Sequence, residues 1–258
     1  MLGKLLKYEI PAMGRKLLPL YVAWAATAFL LGLTTQSADS KSEFMVVISA
    51  LLYTAIATAI FVMTVILIVQ RYSNSLLGDE AYFNHVLPVS VSAHIGNKAI
   101  SATLWIFVTI LVAIVTAILI GIGALIVSGE SFSLIDMIHD LMAIELPKNW
   151  GLYAIEALIM VVASAVKTIM QIYAAITIGH QTQNHTTLAS IGAYILIMIF
   201  ESTVGRILIP VFTNIGFGED ELLNFTVIFI ISVIAAAAFS AIYFFVCKYL
   251  MENKLNLN

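Results

Sequence analysis

The chain has 258 residues, of which 61% are hydrophobic and only 10% charged, with a formal net charge of -3. That composition excludes a water-soluble globular domain, and the single cysteine, Cys247, excludes an internal disulfide; the net charge alone says little, and no nucleic-acid partner is expected. What remains is an all-α integral membrane protein: a spanning helix takes about 20 apolar residues to cross roughly 30 Å of hydrocarbon, and six separate stretches reach that length.

The opening residues 1–16, MLGKLLKYEIPAMGRK, carry Lys4, Lys7, Arg15 and Lys16, with Leu2, Leu5, Leu6 and Ile10 at helical spacing. This pattern predicts a short amphipathic interfacial helix whose lysines reach the headgroups. A secretory signal peptide shares basic residues followed by an apolar run, but Glu9 and Pro11 interrupt the basic region and Gln36-Ser37-Ala38-Asp39 is a poor cleavage site. The first span is expected over 17–33. The second, 44–69, holds 26 residues without a charge. A polar segment, 70–98, precedes the third span at 99–127, where Gly121 and Gly123 either allow a close helix approach or do nothing special.

The second polar section, 128–150, has Phe132, Ile135, Ile138, Leu141 and Met142 spaced for an amphipathic helix lying on the outer surface. The fourth span, 152–179, contains Glu156 and Lys167, and an uncharged polar hinge, HQTQNHTT, leads to the fifth, 188–210. Glu201 lies in that fifth span, whose end at Gly205, Arg206 and Pro210 predicts an interrupted or re-entrant helix. The sixth span, 225–247, ends in a short polar tail. Ala55, Ala59, Ala163, Ala165, Gly192 and Ala235 to Ala238 supply the small residues on which helix packing in lipid relies.

Lysine and arginine near span ends are retained in the cytoplasm. With both termini inside, Lys4, Lys7, Arg15, Lys16, Arg71, Lys98, Lys248 and Lys254 are cytoplasmic and only Lys41, Lys148 and Arg206 are external. This orientation places 70–98 in the cytoplasm, where Leu76, Leu77, Tyr82 and Phe83 are apolar knobs, Gly78 allows a bend, Asp79 and Glu80 form a charged tip and Pro88 stops any preceding helix.

In its opening LGKLLKYEIPAMGRKLLPLY, its cytoplasmic GDEAYFNHVLPVS and its closing YLMENKLNL, the chain resembles the permease subunits of ABC-2 type exporters. The likeness is to those of Gram-positive bacteria that export amphipathic peptides, of the phenol-soluble-modulin exporter type. It covers the whole chain at the level of six spans, as a single permease domain. It implies a coupling helix within 75–88 that docks on a separate cytoplasmic ATPase, with Glu80 and neighbouring Asp79 meeting basic groups there. It also implies a second permease subunit, identical or paralogous, in a bacterial cell membrane, and an amphipathic or hydrophobic substrate. A bland reading of Asp79 and Glu80 is that they keep a loop in water.

No G-x-x-x-x-G-K-[ST] phosphate loop occurs, so the chain is not itself an ATPase of that type, and ATP with magnesium would belong to the partner. An ion gradient is the competing energy source. Lys167, near the middle of its span, and Glu201, toward the outer half, are costly in lipid unless paired or facing an aqueous cavity, and the sequence predicts an ion pair between them, either one that helps close a translocation route or a static structural pair. Glu156, eleven residues before Lys167, shares its helix face and reads as an interfacial carboxylate in contact with water.

Other signals are weaker. His85, His94, His139, His180 and His185 include no H-E-x-x-H, so no metal site is expected. Gly216-Phe-Gly218-Glu219-Asp220 departs from the glycine-aspartate motif of intramembrane proteases, there is no G-x-S-x-G elbow, and Cys247 has no catalytic setting. The methionines and phenylalanines read as packing and lipid-facing residues, or as a lining for a greasy substrate. Three functions therefore stand: an ATP-driven export permease, an ion-coupled carrier using Lys167 and Glu201, and a non-transporting membrane scaffold.

Overall fold

A computed structural model of the chain describes residues 2–35, 40–78, 89–128, 149–182, 185–213 and 221–253, and every element among them is an α-helix. In chain order these are α1 Leu2–Thr34, α2 Ser40–Leu76, α3 Val91–Ser128, α4 Trp150–Gly179, α5 Thr186–Thr213 and α6 Glu221–Asn253. All six are long and apolar enough to cross a membrane. Helices are what such sequences must form, because lipid offers no hydrogen bond to a free backbone group. The hydroxyls obey the same constraint by folding back on their own helices: Thr64 donates to the Ile60 carbonyl at 2.8 Å and Thr103 to that of Ala99 at 2.8 Å.

Several helices differ from the sequence reading. The expected boundary between an interfacial helix ending at 16 and a span starting at 17 is absent: α1 runs without a break through Pro11 and Pro19. Its buried Met13, Leu17, Tyr21, Trp24 and Ala28 recur every three or four residues, one stripe that continues across the expected boundary. The predicted interruption of the fifth span is likewise absent, since α5 continues through Gly205 and Pro210 to Thr213. Pro210 removes one intrahelical bond close to the helix end, where few remain to be lost.

The polar segment 70–98 is largely helical at both ends. At 1.5 Å per residue the 37-residue α2 is about 55 Å long, well beyond the hydrocarbon core, and its surplus takes in residues 70–76. The first turns of α3 take in 91–98. Their polar residues are packed rather than solvated, with His94, Asn97 and Lys98 all buried. Residues 79–88, with Asp79, Glu80, Tyr82 and Phe83, and the amphipathic section 129–148 lie outside the described residues.

The chain packs as two compact units. One comprises residues 7–67 and 104–150; the other comprises 1–6, 68–103 and 151–258. In the first unit, Gly32 of α1 and Gly123 of α3 bring two backbones together: a Cβ on Gly123 would lie 2.8 Å from the Phe29 carbonyl oxygen and 2.9 Å from Gly32 Cα. Gly121, two residues away, faces open space. Gly14 likewise leaves room for the Trp105 indole, whose Nε1 donates to the Ile10 carbonyl at 3.2 Å. Hydroxyl pairs complete the unit: Tyr21 with Thr109 at 2.6 Å, Thr34 with Ser49 at 2.8 Å and Tyr53 with Thr116 at 3.2 Å. In the second unit, Gly179 of α4 abuts Ser190 of α5, whose Cα would be 2.6 Å from an added Cβ. The expected small-residue contacts are mostly elsewhere, with Ala55, Ala59, Ala237 and Ala238 exposed and Gly192 facing open space.

Candidate functional site

Within the second unit, α4, α5 and α6 each contribute one polar side chain to a single cluster. Lys167 Nζ of α4 donates to Glu201 Oε2 of α5 at 2.7 Å. The other carboxylate oxygen, Oε1, accepts a hydrogen bond from the Tyr243 hydroxyl of α6 at 2.6 Å. Glu201 is thus satisfied on both oxygens by two different helices. Its side chain is 14% exposed and that of Lys167 is 25% exposed, so the pair is partly shielded in the isolated chain. In a low-dielectric span such a pair is stable only with this kind of full complement, since removing either partner leaves an uncompensated charge.

Tyr243 is buried and its ring stacks on Phe239 at a centroid distance of 6.1 Å; Phe239 in turn meets Phe200 edge-on at 6.4 Å. The aromatic run places the Tyr243 hydroxyl against Glu201. The sequence reading brought Lys167 and Glu201 together but had no place for Tyr243. Tyrosine is frequent in apolar spans, and nothing in the sequence marks this one out; its place follows from how α6 is turned toward α5.

A second cluster lies where α2 ends. The Tyr72 ring stacks on Tyr173 of α4 with centroids 3.9 Å apart and planes 8° from parallel. The Tyr72 hydroxyl lies 2.8 Å from Thr177 Oγ1 and 3.8 Å from Met251 Sδ, and Cys247 Sγ lies 3.8 Å from the same Thr177 oxygen. Thr177 gives its own proton to the Tyr173 carbonyl at 2.8 Å, which leaves Tyr72 to donate to Thr177. Ser73 Oγ faces His180 Nε2 at 3.4 Å one residue further along. Tyr72, Thr177 and Cys247 are fully buried. Three helices are thereby fastened at the base of the polar segment.

The remaining predicted residues divide. Leu76, expected to face a partner, is fully buried in the last turn of α2, because it shares the inward face with Tyr72 four residues earlier. Leu77 is half-buried. Glu156 does not sit in water as expected: it is only 6% exposed, and among the described residues its Oε2 has no hydrogen-bond partner. Among the described residues no group of histidine, cysteine, aspartate and glutamate could hold a metal ion. No protein family, curated protein or solved structure matches the chain.

Proposed function

We propose that the chain is the permease subunit of an ATP-driven exporter, moving amphipathic peptides or other hydrophobic compounds out of the cell under power from a separate cytoplasmic ATPase. The observation that carries this reading is the fastening of Tyr72 to Tyr173, Thr177 and Met251. A push delivered to residues 77–90 acts on a helix end already joined to α4 and α6, so it is passed on to those two helices. Asp79 and Glu80 supply charge for register and Leu77, Tyr82 and Phe83 the apolar contact; Leu76 has no part in docking, being buried. A second permease subunit completes the path, since six helices rarely enclose one for a peptide.

The test is to purify the tagged chain from its host in mild detergent, comparing wild type with Glu80→Lys. A stoichiometric ATPase, lost or uncoupled in the variant, supports the proposal; no ATPase after gentle crosslinking rejects it. The intramembrane Lys167–Glu201 pair favours one other reading, an ion-coupled carrier. Efflux that persists after ATP depletion but stops with an ionophore would select it.

A further inference from the structure

Tyr243, Cys247 and Met251 follow one another at i, i+4 and i+8 on α6, one side-chain row about 12 Å long. Each touches a different helix. Tyr243 bonds Glu201 of α5, Cys247 lies against Thr177 of α4, and Met251 lies against Tyr72 at the end of α2. We infer that this row is a relay through which the end of α2 sets the state of the Lys167–Glu201 pair, with Tyr243 as the residue that positions Glu201 for Lys167. The direction of signalling rests on the export reading; the contacts do not.

A helix is stiff along its axis, so sliding or rotating α6 at Met251 displaces Tyr243 as well. The Tyr243 hydroxyl holds Glu201 Oε1, which turns Oε2 toward Lys167. Withdrawal of that hydroxyl leaves the carboxylate one partner and frees its rotamer. The pair then loosens when α2 moves and tightens when Tyr72 is seated. Soft sulfur contacts at the two lower positions suit such a motion, because they have little directional preference and re-form after a shift.

The single cysteine of the chain lies at the centre of the row and reports on it. The full chain is reconstituted in phosphatidylcholine nanodiscs, and the rate of Cys247 modification by N-ethylmaleimide is followed by intact mass. Lys167→Met changes a residue separated from the thiol by Glu201 and Tyr243, and Tyr243→Phe removes the link between them. Both are expected to accelerate labelling roughly tenfold, the factor that loss of one charge-assisted hydrogen bond gives to a cooperative opening. Lys167→Arg restores the slow rate. Phe244→Leu, on α6 within one turn of Cys247 but outside the row, and Tyr53→Phe, in the other unit, leave it unchanged.

Wild-type labelling in both Lys167→Met and Tyr243→Phe would overturn the relay, and so would equal acceleration in Phe244→Leu, which would mean general loosening of α6. Should Lys167→Met fail to fold, Glu201→Gln is read in its place, since it removes the ion pair and keeps an acceptor for Tyr243. No ATPase is present in the assay, so a negative result leaves the export reading standing, and failure to capture an ATPase from the host leaves the labelling result intact.

Discussion

The Tyr243 hydroxyl donates to one oxygen of Glu201 at 2.6 Å while Lys167 holds the other at 2.7 Å. A carboxylate in the apolar part of a membrane protein is therefore clamped from both sides. The arrangement resists separation of α4, α5 and α6, and it depends on all three side chains at once.

Removing either charge should cost more than removing both. Lys167→Met alone leaves Glu201 with only a tyrosine, and Glu201→Met alone leaves an unpaired ammonium. Each single variant is expected to lose about 1–3 kcal/mol, fewer than a fully buried pair because both groups are partly exposed. The Lys167→Met/Glu201→Met double variant should recover part of that loss. Reversible unfolding in mixed micelles reads the cycle, and strictly additive losses would show that the two groups are not coupled.

Two glycines separated by a single residue should behave oppositely. Gly123→Ala places a methyl against the Phe29 carbonyl and Gly32, forcing α1 and α3 apart. A loss of about 1–3 kcal/mol or failure to fold is expected, as for other overpacked contacts. Gly121→Ala meets nothing and should be neutral or slightly stabilising. Melting temperatures of the two variants decide the matter, and similar behaviour would contradict the close crossing at Gly123.

Leu76 and Leu77 form a second contrast. Leu76→Ala opens a cavity at a fully buried position and should destabilise by about 2–5 kcal/mol. Leu77→Ala, half-buried, should cost under about 1 kcal/mol and, on the export proposal, weaken ATPase capture instead. Thermal stability and co-purification, measured on the same preparations, separate the two effects.

Glu156 offers a test of function against stability. Its Oε2 is buried without a partner among the described residues, an arrangement that costs free energy. Glu156→Met should therefore stabilise the chain, by about 1 kcal/mol. On the export proposal, loss of transport in that more stable variant would place Glu156 in the translocation path; unchanged transport would leave it a buried residue without a role in transport.

The six helices were legible in the sequence because hydropathy over some 20 residues is a local property, and lipid permits no other backbone. Lys167 and Glu201 were legible for a related reason: a charge inside a span demands a partner, and few candidates exist. What the sequence by itself determined was thus the number of spans and the residues that need company. The tertiary structure decided which company they keep. Tyr243 is one of ten tyrosines, and its bond to Glu201 follows only from how α6 is rotated against α5. Rotation also decides that Gly123 and not Gly121 meets α1, that Leu76 and not Leu77 turns inward, and that Glu156 is buried. The inward stripe Met13 to Ala28 likewise carries α1 through Pro19. Apolar spans look alike on every side when read by composition, because lipid and protein interior are equally apolar. Which face packs is set by close fit between neighbouring helices, and that is a relation between distant parts of the chain.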